Sequence, residues 1–255
     1  MLLVIDIGNT NIVLGVFKDD TFVAELRFKS DTSRTVDEYI ALVLPSLKAK
    51  FALDLRISQC VISSVVPLLT PLMTALVQKS FNIEPLMVGP GIRTGLQIKI
   101  NEPASVGADR VVNALAAKEL FGTPIIVVDF GTATSFDYVS AEGNYEGGVI
   151  APGLAVSLDS LVKNTAKLPS IDITWPKNVV GKSTVSAMQS GVVLGYLCMV
   201  DGLLELMLQE IGKVEQIIAT GGLGELFAAH SKCITNYDRH LTLKGLKILA
   251  ELNAK

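Results

Sequence analysis

The chain has 255 residues, 49% of them hydrophobic and 18% charged, a balance that excludes intrinsic disorder and a coiled coil. At about 150 residues per domain, that length gives one large domain or two small ones, able to bury a core without disulfide or metal support. Twenty-two basic and 25 acidic side chains leave a net charge of −3 with no basic run, which argues against nucleic acid as the main partner.

The N-terminal run Met1-Leu2-Leu3-Val4-Ile5-Asp6 has no basic flank and carries a carboxylate at its sixth position, so it reads as a buried strand rather than a signal peptide. Strands are expected over 2–7, 12–17 and 21–28, with a tight Gly8-Asn9-Thr10-Asn11 turn between the first two. A helix fits 36–50, a buried strand 59–64, and a helix 68–81 with Pro67 and Pro71 near its first turn. Residues 106–120 are helical up to the break at Gly122-Thr123-Pro124, strands follow at 125–129 and 134–139, and a turn comes next at 141–144. A long helix is expected at about 185–209, a strand at 214–219, and a short helix at 225–229 after Thr220-Gly221-Gly222. No stretch approaches the ~18 uninterrupted apolar residues of a membrane span, and a soluble cytoplasmic protein is the expectation. Cys60, Cys198 and Cys233 form no Cys-x-x-Cys pair and read as reduced, mostly buried thiols.

Strands interleaved with helices make this an α/β chain. An internal echo divides it: Asp6-Ile7-Gly8-Asn9-Thr10 and Asp129-Phe130-Gly131-Thr132-Ala133-Thr134 each close an apolar strand and open a β-turn-β unit, 123 residues apart. Two similar α/β halves facing one another across a cleft are therefore expected, residues 1–118 and 119–255. Glycine lets the backbone approach a ligand closely. The Asn9, Thr10 and Thr132 positions offer donors to phosphate oxygens, and each strand-end aspartate suits a hard cation. One such turn is commonly an ordinary hairpin; the duplicated pair points to a nucleotide's phosphates.

The third glycine turn, Thr220-Gly221-Gly222-Leu223-Gly224, suits a nucleoside lying on open backbone. It fails the dinucleotide fingerprint because Phe227 occupies the required third glycine position. Gly181-Lys182-Ser183-Thr184 resembles the end of a P-loop, but Pro176 stands where its first glycine belongs. Ser183 or Thr184 instead caps the long helix, with a substrate contact at Thr184 compatible with that helix start. Asp109 beside Arg110 reads either as a surface pair or as a proton acceptor beside a guanidinium that fixes an anionic substrate. His230 and His240 lack metal-ligand spacing and are expected exposed. Trp175 says little by itself, and Gly191-x-x-x-Gly195 suits close packing inside the chain or a dimer interface.

The motifs Asp6–Asn11, Ile62-Ser-Ser-Val-Val-Pro67, Gly107-Ala-Asp-Arg110, Asp129–Thr134, Gly147-Gly-Val-Ile-Ala-Pro-Gly153, Thr220-Gly-Gly222 and Leu241-Thr-Leu-Lys-Gly-Leu246 occur in one order along the chain. In that order they resemble type III pantothenate kinase. The resemblance implies two ribonuclease-H-like halves of the acetate/sugar kinase–Hsp70–actin superfold, ATP-dependent phosphorylation of pantothenate as the first step toward coenzyme A, and a homodimer. It further implies that Asp6, Ile7, Gly8, Asn9, Thr10, Asn11, Ile12 and Val13 line the triphosphate, with Thr132, Gly221 and Gly222 also at ATP. Asp6 serves Mg²⁺ through water, and Asp129 a monovalent cation, K⁺ or NH₄⁺. Asp109 is the implied general base, and Gly107, Ala108, Asp109, Arg110 and Thr184 hold pantothenate. Ile100 stands where the family often has tyrosine, so one substrate hydrogen bond is expected to be missing there. A kinase of another small acceptor, and a non-catalytic nucleotide-dependent regulator, are the competing expectations.

Overall fold

The computed structural model describes residues 1–51 and 56–254, which cluster into two compact units. The first comprises the chain up to Leu120 together with the segment from His240 onward, and the second Phe121–Arg239. The first unit opens with strands β1 (Leu2–Ile7), β2 (Asn11–Lys18) and β3 (Thr21–Lys29), followed by helix α1 (Val36–Phe51). Strand β4 (Gln59–Ser64), helix α2 (Thr70–Phe81), the short β5 (Leu86–Met87), a 3-10 turn (Pro103–Ser105) and helix α3 (Ala108–Phe121) come next. Its sheet runs β3-β2-β1-β4-β5, with β1, β2 and β3 antiparallel and β4 parallel to β1.

The second unit repeats this plan with β6 (Ile125–Phe130), β7 (Ala133–Val139), β8 (Tyr145–Pro152), helix α4 (Leu154–Lys163), helix α5 (Thr184–Gln189), helix α6 (Gly195–Ile211), β9 (Gln216–Gly221), helix α7 (Gly224–Ala228) and β10 (Asn236–Tyr237). Its sheet order, β10-β9-β6-β7-β8, matches the first strand for strand. β6 pairs antiparallel with β7 and parallel with β9, as β1 does with β2 and β4. The echo read from the two aspartate-glycine motifs is therefore a repeat of topology.

Alternation along β1 and β4 sorts their side chains between two cores. Leu3, Ile5, Ile7, Cys60 and Ile62 pack with Tyr39, Val43 and Leu47 of α1 and Met73 and Leu76 of α2. Val4 and Val61 face the other way, onto Val112 and Leu115 of α3 and Leu243, Leu246 and Leu249 of the last helix, α8 (Leu241–Leu252). Helix α8 was counted with the second half on sequence; it packs on the first unit's sheet, and a Cβ on its Gly245 would lie 2.4 Å from the Val112 carbonyl. In the second unit Ile126, Val128, Phe130, Phe136, Tyr196, Val200, Leu204 and Phe227 form the core on one sheet face.

Boundaries shift where local chemistry decides them. α2 starts at Thr70 rather than 68, with Pro71 in its first turn, and α3 starts at Ala108 because the Pro103–Ser105 turn and Gly107 precede it. Ser183 is the N-cap of α5: its Oγ accepts from the Ser186 N–H at 3.2 Å while Ser186 Oγ accepts from the Ser183 N–H at 2.9 Å. The long helix spans Thr184–Ile211 through a π-helical segment at Ser190–Leu194. By length and composition it could cross a membrane, which the count of uninterrupted apolar residues did not flag; Met188, Val193, Tyr196, Val200 and Leu204 are nonetheless buried in the second unit. Gly191 and Gly195 are exposed, with no atom within 4 Å of an added Cβ, so they serve no packing inside the chain.

Strands β5, β8 and β10 and helices α4 and α8 escape a propensity reading. β8 holds Gly147-Gly148 and ends on Pro152, α4 follows an N-cap at Gly153, and α8 follows His240, neither helix having a side-chain cap. All three cysteines are free; Cys60 is buried, which pushes its thiol pKa up, but Cys198 is exposed, against expectation. His240 also departs from expectation: its Nε2 lies 2.8 Å from Glu25 Oε2 and its ring packs tilted against Phe22, with centroids 4.5 Å apart. His230 is exposed, as expected, and stacks on Trp175 with ring centroids 3.6 Å apart.

Leu246 is fully buried between α8 and the first sheet. Leu246→Ala should lower unfolding free energy by about 2–5 kcal/mol in urea titration, and a loss under ~1 kcal/mol would contradict this placement of α8.

Candidate functional site

At the end of β1 the Gly8 N–H donates to the Asn11 carbonyl at 3.0 Å, closing a four-residue connection between the paired Ile7 and Ile12. Ser30 clamps the connection from outside: its Oγ donates to the Gly8 carbonyl at 2.6 Å and its N–H to the Thr10 carbonyl at 2.9 Å. Asn9 and Thr10 are exposed on this braced turn. Within the stretch expected at the triphosphate, Ile7 and Ile12 bury their side chains in the α1/α2 core and Val13 packs on the α3/α8 side. These three therefore offer a ligand main-chain groups only, whereas Asp6, Asn9, Thr10 and Asn11 offer side chains.

Asp6 is half-buried, its Cα paired with Val13 on β2 and Ser63 on β4. Strand alternation puts Asp6 and Ser63 on the face covered by α3 and α8. Asp109 belongs to that same face, in the first turn of α3. Its Oδ1 accepts the Arg110 N–H at 2.8 Å and lies 2.5 Å from where a Gly107 Cβ would be, and that Cβ in turn would sit 3.6 Å from Val65, just beyond β4. Gly107 is thus required for the carboxylate to curl back. Burial pushes the Asp109 carboxyl above the usual carboxylate range, opposed in part by the Arg110 N–H and guanidinium. Arg110 is half-buried beside it.

The second unit builds the corresponding turn one residue shorter. Gly131-Thr132-Ala133 joins the paired Phe130 and Thr134, and the Gly131 N–H donates to the Ala133 carbonyl at 3.1 Å. Asp129 pairs with Ser135 and Thr220. Its Oδ1 lies 2.6 Å from where a Gly221 Cβ would stand, and Gly221 has φ +88°. Gly153 closes the other side: its N–H donates to the Thr132 carbonyl at 3.2 Å, and a Cβ there would meet that oxygen at 2.3 Å. Beneath the turn the Tyr196 hydroxyl hydrogen-bonds Thr134 Oγ1, with Phe130 and Phe227 packed around the ring. Burial is the main reason the Tyr196 pKa is raised.

Of the remaining expected residues, Gly222 is exposed at the end of β9 and Thr184 is the exposed first residue of α5. Gly181 is explained by packing rather than phosphate: a Cβ there would fall 2.3 Å from the Ala187 nitrogen. Ile100 is half-buried in the irregular segment before Pro103. The first unit thus gathers Asp6 and Gly107–Arg110 at one end of one sheet face, and the second gathers Asp129, Thr132 and Gly221. Ser30, Ser63, Gly153 and Tyr196 were not foreseen. The repeated topology was the available signal for Ser63, which occupies on β4 the place of Thr220 on β9.

Among the described residues no group of three or more His, Cys, Asp or Glu forms a metal cage. The donors at both turns are carboxylate, hydroxyl and main-chain oxygens, the set that suits hard cations, and Mg²⁺ commonly takes one or two carboxylates with substrate phosphates completing its shell. Asp6 fits that use, and the glycine-walled Asp129 carboxylate fits a cation that approaches closely.

The model of a protein family described as type III pantothenate kinase matches residues 2–206. A type III pantothenate kinase of Citrifermentans bemidjiense is 46% identical over 253 residues, covering 99% of this chain and 100% of that protein. One from Bacillus cytotoxicus is 46% identical over 254 residues, covering 100% and 97%. Among solved structures, a Campylobacter jejuni protein described as a Baf family transcriptional activator aligns with TM-score 0.61 at 19% identity, over 98% of both chains. A Sinorhizobium meliloti protein described as a 2-dehydro-3-deoxygalactonokinase aligns with TM-score 0.59 at 13% identity, again over 98% of both. At such identities the likeness shows the fold, which is that of the sugar kinase and actin superfold.

Gly221→Ala should destabilise the chain by about 1–3 kcal/mol, because its φ and the nearby Asp129 and Phe130 atoms leave no room for a side chain. Gly222→Ala, open on all sides, should change thermal stability little; equal effects of the two would contradict the geometry of this turn.

Proposed function

The chain belongs to the type III pantothenate kinase family, and from that premise we propose that it transfers the γ-phosphoryl group of ATP to the primary hydroxyl of pantothenate, with Asp109 as general base. The observation that carries the assignment of the base is its setting: a carboxyl half-buried at the start of α3, its basicity raised by burial, beside Arg110 and on the sheet face that also bears Asp6. A base more proton-hungry than an ordinary aspartate is matched to an alcohol at neutral pH. Arg110 is the cation for the substrate's carboxylate, and Gly107, Ala108 and Thr184 complete our assignment of pantothenate contacts. Ile100 has no hydrogen-bonding side chain to offer the substrate.

The new bond joins the alcohol oxygen to the γ-phosphorus while the bond from that phosphorus to the departing ADP oxygen breaks. Asp109 takes the hydroxyl proton as this proceeds. Such transfers have loose transition states, so positioning and charge stabilisation do most of the catalysis. The main-chain N–H groups of the Gly8–Asn11 turn and the side chains of Asn9 and Thr10 hold phosphate oxygens in our reading, as does Thr132 on its own turn, with Gly221 and Gly222 beside the nucleoside. Asp6 is assigned to Mg²⁺ through water, and Asp129 to K⁺ or NH₄⁺; when bound, these ions neutralise phosphate charge. The enzyme works in the cytoplasm as a homodimer, and the exposed Gly191, Gly195 and Leu206 of the apolar long helix support a second copy as the occupant of that surface.

Asp109→Asn should cut kcat by about 10²–10⁴-fold and leave ATP binding intact. Its folded-state pKa is raised, so ionisation is less favourable in the folded chain than in the unfolded one, and Asp109 costs stability as pH rises through the carboxylate range. The Asn variant should therefore be at least as stable at pH 7, separating catalysis from folding. In the wild type, kcat/KM should fall as pH drops through a pKa above the ordinary ~3.9 of aspartate. Near-normal turnover of the variant would overturn the assignment.

Asp129→Ala should abolish the difference between rates in potassium and sodium buffers. Retention of a potassium preference in that variant would remove the cation from Asp129.

A further inference from the structure

Ser63 is fully buried, and its Oγ has no hydrogen-bond partner. A buried hydroxyl without a partner costs stability that alanine in the same place would not. It lies on β4 opposite Asp6 in the parallel register, so the two side chains project from the same sheet face with strands about 4.8 Å apart. Val65, two residues on, borders the Gly107 position that holds Asp109 back. Ser63 therefore stands between the strand that carries Asp6 and the helix start that carries Asp109.

The second unit places a buried hydroxyl in the same relation. Thr220, 1% exposed, is the β9 register partner of Asp129 on β6. Each strand-end aspartate thus has a buried hydroxyl residue on its parallel neighbour, although the loops that follow, Ser64-Val65-Val66 and Gly221-Gly222-Leu223, have nothing else in common. One step back along β1 and β4 the face is apolar, where Val4 and Val61 pack against α3 and α8. The register partner of Ser63 on β1, Asp6, is an acceptor of the right chemistry on the same face, a carboxylate with lone pairs on two oxygens.

We propose that Ser63 is a positioning residue for Asp6, its hydroxyl donating to the carboxylate when Mg²⁺ and ATP are bound and so fixing the orientation in which Asp6 serves the metal. The inference rests on the assignment of Asp6 to the Mg²⁺ of ATP. An outer-shell donor orients a ligating carboxylate and raises the precision of the site without touching substrate. It also explains why the position holds serine: the hydroxyl is unfavourable in the unliganded fold and gains its partner with the nucleotide.

The test is calorimetric titration of the full chain with MgATP alone, followed by assays of phosphorylation against Mg²⁺ concentration. Ser63→Ala should weaken MgATP binding and raise the Mg²⁺ needed for half-maximal rate by about 10- to 100-fold, with an unchanged KM for pantothenate. Its melting temperature should be equal to or above that of the wild type, which a merely structural serine would not predict together with weakened binding. Ser63→Thr, which keeps a hydroxyl, should restore binding, and Ser63→Cys, a weak donor of similar size, should resemble alanine and carries the test if alanine disturbs folding. Wild-type MgATP affinity in both the alanine and the cysteine variants would overturn the role of Ser63. If the wild type itself bound ATP equally with and without Mg²⁺, the assignment of Asp6 would fail instead.

Discussion

Each unit depends on a single arrangement: a carboxylate at the end of a buried strand, two residues ahead of the glycine that opens a turn. The strand must be buried on both faces to hold its direction, which the β1 and β6 side chains achieve. The carboxylate must emerge where the sheet stops, and the turn must bring main-chain donors to the same end. Everything else at the two turns secures that geometry. Ser30 closes the first from outside, while Gly153 and Tyr196 brace the second from below.

Chemistry is then added by elements that the sheets position. Helix α3 starts after Gly107, and the small residue lets Asp109 fold back over its own helix start. The carboxyl thereby loses water and gains basicity, while the Arg110 N–H and guanidinium oppose that rise in part. Burial and counter-charge act in opposite directions on one group, and the burial prevails. A surface Asp-Arg pair of the same sequence would have neither property.

The strands that carry the chemistry were legible because apolar runs ending in Asp-x-Gly leave few other readings, and the repeat followed from their spacing. What remained hidden was hidden for physical reasons. β8 contains two adjacent glycines whose absent side chains matter only once β7 is beside them: a Cβ on Gly148 would overlap the Phe136 carbonyl at 1.8 Å. Helix α8 opens on Leu241-Thr242-Leu243, which alternates as a strand would, and its packing on α3 at Gly245 ties it to the first unit. Among the candidate site residues, motif and resemblance single out Asp6, Asp109, Asp129 and Thr132. Ser30 and Gly153 act through hydrogen bonds to segments about twenty residues away in sequence, and Ser63 stands beside Asp6 only through strand register, relations that no local pattern encodes. His240 likewise takes its partner, Glu25, from across the first unit.

The most direct measurement is ³¹P nuclear magnetic resonance of the full chain with ATP, Mg²⁺ and K⁺, in the presence and absence of pantothenate. One new phosphomonoester should form for each ADP released, and only when pantothenate is present. ADP appearing with inorganic phosphate alone, at a rate indifferent to pantothenate, would contradict a kinase acting on that alcohol.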